Sequence, residues 1–297
     1  MHPAQMQEAR TARYPLQPLF HLDALWIQVA GTDCNLACTH CFVSAAPGNH
    51  SHPEMTRADV RARVAEAIPL GVKEFYFTGG EPFLHPAMAE IVEDTLAHGP
   101  CTVLTNGTLF TPRRLDHLGR IAESARYSLE LRVSLDGHRA EEHDAFRGPG
   151  AFARTLEGLR RCESHGFLPI VTLTQATDED PRVFRRRCHE MLRAEGLRRP
   201  RLKLLPMFLL GREAGRTRGY GVAESLADLP PEQFDPKRLQ CSGCRAVTAR
   251  GVYVCPLLVE EPGGRMGDSL GDALRPFELR HGACYTCHVT GMTCGNG

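Results

Sequence analysis

Short β-rich segments alternate with helical ones over most of the chain, and this alternation limits the possible folds more than any other feature. Six segments have the pattern of strands and begin near residues 24, 72, 101, 129, 168 and 201. Five helical segments separate them, which is the pattern of βαβ units and of a parallel sheet. Ligands of such sheets bind at the carboxyl ends of the strands. The sequence therefore predicts an α/β fold over residues 24–206, with its functional residues after the strands.

The first predicted helix has clear signals at both ends. Thr56 is suited to cap its start, and Asp59 follows three residues later as the partner in a capping box. Gly71 is placed to end the helix.

Three further segments complete the predicted organisation. Residues 1–23 form an N-terminal extension, and residues 207–240, rich in Gly, Arg and Pro with little periodicity, read as a connector. Residues 241–297 are dense in cysteine and turns. We expect this last segment to be a small module held together by metal rather than by an apolar core.

The charge balance and the absence of apolar runs exclude several classes of protein. The 35 basic and 35 acidic residues cancel, so no overall field attracts nucleic acid or an anionic membrane. The N-terminus lacks the apolar core of a secretory signal, and no run approaches the roughly 18 apolar residues of a membrane span. We therefore expect a cytoplasmic protein without a nucleic-acid or membrane partner.

The twelve cysteines are distributed unevenly. In a reducing compartment, clustered cysteines indicate metal sites or redox chemistry rather than disulfides. Six of them lie in the C-terminal segment, at positions 241, 244, 255, 284, 287 and 294. Three are isolated within predicted strands or helices, and we expect them to be buried, unreactive thiols: Cys101, Cys162 and Cys188.

The remaining three cysteines share the loop after the first predicted strand: Cys34, Cys38 and Cys41. A cluster of four irons normally binds four thiolates, so three would leave one iron open. An open coordination position is where a catalytic metal binds its substrate. A zinc ion completed by His40, His50 or His52 is the alternative that this spacing leaves open.

The cysteine loop, taken together with the sequence Gly79-Gly80-Glu81-Pro82 after the second strand, resembles the radical S-adenosylmethionine (SAM) superfamily. The resemblance covers about residues 24–206 and implies a partial (β/α)6 barrel. It implies a [4Fe–4S] cluster on the three loop cysteines. The open iron of that cluster would be chelated by the amino and carboxylate groups of SAM.

The same resemblance assigns expected SAM contacts to residues at the strand ends. His40 and Phe42 would lie near the adenine. The glycines would let the backbone approach the methionine closely, Glu81 would pair with its ammonium group, and Pro82 would fix the turn.

Three other strands end in polar residues that the resemblance places near SAM. Ser134 and Asp136 would contact the ribose and the methionyl carboxylate, although Asp136 could instead only cap its turn. Thr172 and Thr174 fall on one strand face and could bond SAM from the lumen, or could be ordinary strand residues. For the sequence Thr105-Asn106-Gly107, turn formation and ligand contact are equal alternatives.

The C-terminal cysteines resemble the twitch and SPASM modules that carry auxiliary clusters in this superfamily. The resemblance implies one auxiliary [4Fe–4S] cluster, with Cys244 and Cys294 as competing candidates for the ligand set Cys241, Cys255, Cys284 and Cys287. The spacing departs from the twitch pattern by one residue after Gly251, and a full SPASM module has seven cysteines. A zinc knuckle is the alternative, because paired C-x2-C motifs also bind zinc.

The resemblance implies reductive cleavage of SAM to a 5′-deoxyadenosyl radical that removes a hydrogen atom from a substrate. We expect oxidation (dehydrogenation) of a small molecule, with the auxiliary cluster as electron acceptor and a flavodoxin- or ferredoxin-type protein as electron donor. The alternatives are cross-linking or epimerisation of a ribosomal peptide, delivered by a carrier, and a scaffold that binds iron–sulfur or zinc without turnover. No catalytic residue stands out among the polar candidates Lys203, Arg212, Glu213, Tyr220 and Tyr253.

Overall fold

The computed structural model describes residues 13–175, 179–292 and 294–295. The first twelve residues of the predicted extension, and residues 293, 296 and 297 of the predicted C-terminal module, lie outside this range. Within the described residues, no helix has both the length and the apolar character needed to span a membrane.

The predicted parallel sheet is confirmed. The six predicted strands correspond to β2 (Ala24–Gln28), β3 (Glu74–Thr78), β4 (Cys101–Thr105), β5 (Leu129–Leu135), β6 (Ile170–Thr174) and β7 (Arg201–Leu205), after a short β1 at Leu16–Gln17. They pair in chain order and all run in the same direction. Neighbours in sequence are therefore neighbours in the sheet, as the predicted partial (β/α)6 barrel requires.

Helices cover the sheet between successive strands. The predicted ones are α1 (Arg57–Ala67), α2 (Met88–Leu96), α3 (Pro112–Ser124), α5 (Ala151–Ser164) and α6 (Pro181–Ala194). The capping box of Thr56 and Asp59 is present at the start of α1. Gly71, with φ of 90°, ends the short 3-10 turn that follows this helix.

Two of the helices that were not predicted lie near the cysteine loop: α4 (Ala140–Arg147) before α5, and α7 (Gly211–Arg216) within the predicted connector. The α4 sequence AEEHDAFR is polar and buries one residue, His143. It therefore has no apolar stripe from which a helix could be predicted. Both helices contact the loop that carries the three clustered cysteines.

The C-terminal segment extends the same sheet, which the sequence analysis did not anticipate. β8 (Cys244–Thr248) pairs in parallel with β2, and β9 (Gly251–Tyr253) and β10 (Arg265–Gly267) continue outward. β10 and β7 form the two edges of this open nine-stranded sheet, and the segment closes with β11 (Phe277–Glu278) and α8 (Gly282–Thr290). Val247 and Val252 have no exposed surface and belong to the main core. The expectation of a module without an apolar core was wrong.

The three isolated cysteines lie in the core, as predicted. Cys101, Cys162 and Cys188 have no exposed surface. Burial raises the pKa of Cys188 to about 12, so this thiol stays protonated and unreactive at neutral pH.

Candidate active site

The cysteine loop begins where β2 ends and folds back on itself. The Cys34 amide donates to the carbonyl of Ala46 at 3.3 Å, and Asp33 forms an isolated bridge with the same residue. Gly31 has φ of 55°, and a β-carbon there would overlap the carbonyl of His52. Only glycine fits this close approach, so the loop starts directly at the carboxyl end of the strand.

Arg212, on α7, holds the loop from the other side. Its Nε donates to the Cys38 carbonyl at 2.8 Å, and its backbone amide donates to the Cys41 carbonyl at 3.0 Å. Its guanidinium also donates to the carbonyls of Ser44 and Ala45. This residue was a candidate for proton transfer, and its contacts instead give it a structural role in shaping the loop.

The three loop thiols line one cavity: Cys34, Cys38 and Cys41. Burial raises the pKa of Cys34 to about 12, and the other two cysteines oppose its ionisation further. Backbone amides donate to two of the sulfurs, from Leu36 to Cys34 at 3.5 Å and from Ala45 to Cys41 at 3.3 Å. Three clustered thiols, two of which accept backbone amides at sulfur, fit the ligands of an iron–sulfur cluster.

The histidines that could have completed a zinc site are occupied elsewhere or exposed. His52 Nε2 lies 3.2 Å from Glu260 Oε1, His40 contacts Asp136, and His50 is exposed. Across the described ranges, no three His, Cys, Asp or Glu side chains meet as ligands of a single metal ion. A four-iron cluster does not need that arrangement, because its thiolates bind different irons.

The glycine turn after β3 packs directly on the cysteine loop. The Gly80 amide donates to the Gly31 carbonyl at 2.9 Å, and the Glu81 amide donates to the Asp33 carbonyl at 2.9 Å. A β-carbon on Gly80 would overlap the Asp33 carbonyl. Gly79, with φ of 137°, lines the cavity together with Gly80. The two sequence motifs therefore form one wall.

Glu81 is fully buried behind that wall, as is Pro82. Its Oε1 accepts from Thr105 Oγ1 at 2.7 Å and from the Phe83 amide at 3.1 Å, and its Oε2 accepts from the Asn106 amide at 2.8 Å. Burial raises the pKa of Glu81, although these hydrogen bonds favour the charged form. The carboxylate predicted to pair with an ammonium group is thus used within the protein, and its pairing with SAM stays a prediction.

The turn after β4 connects the two motifs. Asn106 Nδ2 donates to Asn35 Oδ1, in the cysteine loop, at 2.8 Å. Gly107 has φ of 75°, and Thr105 and Asn106 both line the cavity. Turn formation and ligand contact, the two alternatives for Thr105-Asn106-Gly107, are compatible, because the turn that forms here also lines the cavity.

Asp136, after β5, lies between His40 and Arg147. Its Oδ2 is 3.0 Å from His40 Nε2 and 2.6 Å from Arg147 Nε. Burial alone would raise the pKa of Asp136, but Arg147 and then His40 hold it well below its usual range. Asp136 therefore anchors the histidine of the cysteine loop, while Ser134 lines the cavity. The ribose contact predicted for Asp136 stays a prediction.

Arg147 is a site residue that the sequence analysis missed. It ends α4, its side chain is 10% exposed, and it lines the cavity beside Cys38. Its positive charge lowers the pKa of Cys38, against the stronger effect of burial. A single arginine in a polar segment gives no periodic signal, so only the fold brings it to the site.

The cavity occupies about 1,210 Å³, including the open space at its mouth, and lies along the inner face of the sheet, which is called the lumen here. His40, Phe42 and Thr174 line it, as expected from the resemblance. Trp26 and the C-terminal Cys294 line it as well. Thr172 also faces the cavity and accepts a hydrogen bond from Arg132 Nε at 2.6 Å, which confirms that the two threonines share the lumen face.

Most of the C-terminal cysteines lie near the start of β8, at the strand ends opposite to those that carry the cysteine loop. The thiol pKa of Cys255 is raised by burial and then by the charges of four neighbours, Cys241, Cys244, Cys284 and Cys287. Arg245 has no exposed surface and donates to the carbonyls of Cys241 and Cys244 at 2.9 and 2.7 Å. A buried guanidinium among thiols fits a set that binds as thiolates, because their negative charge would compensate it.

The family model of the radical SAM superfamily matches residues 29–199, more than half of the chain. The matched stretch holds both the cysteine loop and the glycine turn. The chain therefore belongs to the radical SAM superfamily, a family of enzymes that use a [4Fe–4S] cluster and SAM.

Curated relatives match roughly this same part. The AdoMet-dependent heme synthase of Methanosarcina barkeri (strain Fusaro / DSM 804) is 40% identical over 136 residues, 45% of this chain and 37% of that protein. The antilisterial bacteriocin subtilosin biosynthesis protein AlbA of Bacillus subtilis (strain 168) is 30% identical over 143 residues, 48% of this chain and 31% of that protein. The matches thus span about a third of these relatives' length.

Among solved structures, anSMEcpe with bound AdoMet aligns with a TM-score of 0.61 and 16% identity, covering 84% of this chain and 77% of that chain. This similarity concerns the fold. It extends the likeness beyond the family-model match to most of the chain.

Proposed function

We propose that this protein is a radical SAM oxidoreductase that dehydrogenates a small molecule, and that Cys34, Cys38 and Cys41 bind its [4Fe–4S] cluster. The convergence of these thiols with the glycine turn on one cavity is the observation that carries the proposal. When bound, this cluster would supply the electron that cleaves SAM, and an auxiliary cluster would take up the electron that the oxidised substrate releases.

The protein residues contribute position and charge. Gly79 and Gly80 expose backbone for the methionine group, and Arg147 offers a guanidinium to its carboxylate beside the loop. His40 is oriented by Asp136, and Phe42 supplies an apolar surface for the adenine. Thr174 and Ser134 add hydroxyl groups along the lumen.

The auxiliary cluster is proposed on Cys241, Cys255, Cys284 and Cys287, with Cys244 and Cys294 as further candidates. Their mutual effects on pKa support one shared site, and buried Arg245 offers the compensating charge. Oxidation is favoured over a redox-neutral reaction because a second cluster provides an electron acceptor. A flavodoxin- or ferredoxin-type donor for the first cluster is part of the same proposal.

The test is anaerobic reconstitution with iron and sulfide, followed by dithionite and SAM. Wild-type protein should form 5′-deoxyadenosine, and Cys38→Ala should form none. Cys284→Ala should keep SAM cleavage and lose roughly one cluster's iron. Cys188→Ala is the matched control, because this buried cysteine lies in α6 away from both groups, and it should keep its iron and its cleavage. Wild-type protein that forms no 5′-deoxyadenosine would refute the enzyme and leave the scaffold alternative.

A peptide substrate, for cross-linking or epimerisation, is the second candidate. The similarity to a bacteriocin biosynthesis protein, AlbA, favours it. A short precursor-peptide gene beside this one would decide for the peptide if, only with SAM and dithionite, its product loses hydrogen mass by cross-linking or takes up deuterium from D2O by epimerisation.

A further inference from the structure

Arg132 is a buried cation on the lumen face of β5, and no carboxylate compensates its charge. It is 1% exposed, its Nε donates to Thr172 Oγ1 at 2.6 Å, and its Nη1 donates to the backbone carbonyl of Cys294. Its Nη2 is buried and makes no hydrogen bond. Among the residues that the structure describes, no Asp or Glu forms an ion pair with it. A buried charge is costly unless an opposite charge accompanies it, so the site calls for an anion.

The acidic group that interacts most strongly with this charge is the thiol of Cys294. Its negative form stabilises the charged form of Arg132, ahead of the weaker effect of Tyr76. In return, Arg132 and then Lys203 lower the pKa of Cys294, against the larger effect of burial. The Cys294 amide donates to Gln240 Oε1 at 2.5 Å. Hydrogen bonds to its amide and to its carbonyl therefore fix this cysteine beside the Arg132 guanidinium.

Cys294 is also the C-terminal cysteine that reaches the substrate cavity. The other five cysteines of the C-terminal segment, all within the described residues, do not line this cavity. The charge of Cys294 raises the pKa of Cys287 more than any other neighbouring charge does, and it raises that of Cys244 as well. Gly291, with φ of 62°, ends α8 and turns the chain between Cys287 and Cys294. The Cys294 thiol is therefore adjacent both to the auxiliary cysteines and to the lumen.

We propose that Arg132 is a positioning residue of the auxiliary cluster, and that it holds Cys294 as the cluster ligand that faces the substrate cavity. This inference rests on the proposed function, which supplies the cluster. Cys294 would replace one of the four cysteines assigned above, while Cys287, its strongest electrostatic neighbour, stays in the set.

The charge of Arg132 gives this arrangement a second consequence. Four thiolates make a loaded four-iron site anionic, and the buried guanidinium would compensate part of that charge where the site meets the cavity. A fixed positive charge beside a ligand favours the reduced form of the cluster, because reduction adds one negative charge. Arg132 would therefore raise the reduction potential and make the cluster a better electron acceptor.

The auxiliary cluster can be measured alone in protein whose three loop cysteines are all replaced by alanine. The first cluster then has no thiolate ligands, so the iron that remains belongs to the C-terminal cysteines. In this background, Cys294→Ala removes the proposed ligand, and Cys188→Ala, in the core of α6, is its matched control. Arg132→Gln removes the charge, Arg132→Lys keeps it, and Arg201→Gln, an exposed arginine on β7, is the matched control.

We expect the background protein to bind about four irons and to give the EPR signal of a reduced [4Fe–4S] cluster with dithionite. Cys294→Ala should lose most of this iron, whereas Cys188→Ala should keep it. In Arg132→Gln, the ratio of reduced to oxidised cluster at a fixed potential should fall about tenfold, which is a shift of about 59 mV in an EPR-monitored redox titration. Arg132→Lys should restore most of the shift, and Arg201→Gln should show none.

Two results would overturn the proposal while leaving an auxiliary cluster in place. One is full iron and an unchanged EPR signal in Cys294→Ala, and the other is the same potential in Arg132→Gln as in the background protein. If Arg132→Gln loses its iron, recovery of the iron in Arg132→Lys supports the positioning of Cys294. Loss of iron in both Arg132 variants, with lower melting temperatures, would make the residue a general part of the core and overturn the proposal.

Failure of the proposed function has a different signature. If the background protein binds no iron, or binds zinc instead, the auxiliary cluster itself fails and this proposal fails with it. If wild-type protein forms no 5′-deoxyadenosine while the background protein keeps its iron and its response to Arg132→Gln, the enzyme fails and the inference about Arg132 and Cys294 stands.

Discussion

Replacing Glu81 tests whether this carboxylate holds the glycine turn or binds SAM. In Glu81→Ala, the backbone amides of Phe83 and Asn106 lose their buried acceptor. An unsatisfied buried donor costs about 1–3 kcal/mol, so the two together cost about 2–6 kcal/mol. In a chain of this size each kcal/mol lowers the melting temperature by about 2 °C, which predicts a fall of roughly 4–12 °C.

Glu81→Gln should be milder, because its amide oxygen can still accept from Thr105 and Phe83 while Asn106 loses its partner. We expect about half the fall seen for alanine. Glu93→Ala, an exposed glutamate on α2, is the matched control and should stay within about 0.5 kcal/mol.

The assay combines anaerobic circular-dichroism melting at one scan rate with the SAM dependence of 5′-deoxyadenosine formation. If Glu81 only holds the glycine turn in place, the melting temperature falls, and the protein that remains folded needs similar concentrations of SAM. The opposite pattern would refute the reasoning: a melting temperature within a degree or two of wild type, with a large increase in the SAM needed. That result would support the contact between Glu81 and the ammonium group of SAM that its motif predicts.

Two further substitutions probe other parts of the site. Gly80→Ala would drive its β-carbon into the Asp33 carbonyl, so reconstituted protein should lose iron and SAM cleavage. The control Gly119→Ala, with open space around it, should keep both. Equal iron in the two variants would contradict this prediction. Asp136→Asn leaves Arg147 without its buried counter-charge and should cost about 3–5 kcal/mol at pH 7. Because folding holds the pKa of Asp136 well below the unfolded value of 3.8, its contribution is fully present above that value and is lost progressively at lower pH, so the melting temperatures of variant and wild type should begin to converge only below 3.8.

The features predicted best from the sequence are those that depend on residues close to one another in the chain, namely strands, helices and helix ends. The six strands and five helices followed from periodicity, and Thr56 marked the start of α1 correctly, whereas Gly71 ends the 3-10 turn that follows this helix. The cysteine loop and the glycine turn were both predicted to follow strands, and because neighbouring parallel strands end on the same edge, their backbones bond directly.

The sequence could not predict the direction of a side chain or long-range pairing. The motif identified Glu81 as a candidate site residue, but only the fold shows that its carboxylate points to the end of β4. Arg147 and Arg132 lack any pattern as single residues, and they reach the cavity through α4 and the lumen face of β5. The pairing of β8 with β2 joins positions more than two hundred residues apart, for which no local signal exists.

That pairing determines where the two groups of cysteines lie. Cys244 is level with Ala24, at the start of β2, whereas Cys34 follows the end of the same strand. Five strand residues rise about 16 Å, so the two groups lie near opposite ends of the sheet. The loop thiols line the cavity, and Arg132 and Cys294 line it as well. In the proposed oxidation, a substrate in the cavity would lie between SAM at the cysteine loop and Cys294, the candidate auxiliary ligand that lines the same cavity. The sheet would then separate the place of hydrogen abstraction from the electron acceptor, because the two groups of cysteines lie near different ends of β2.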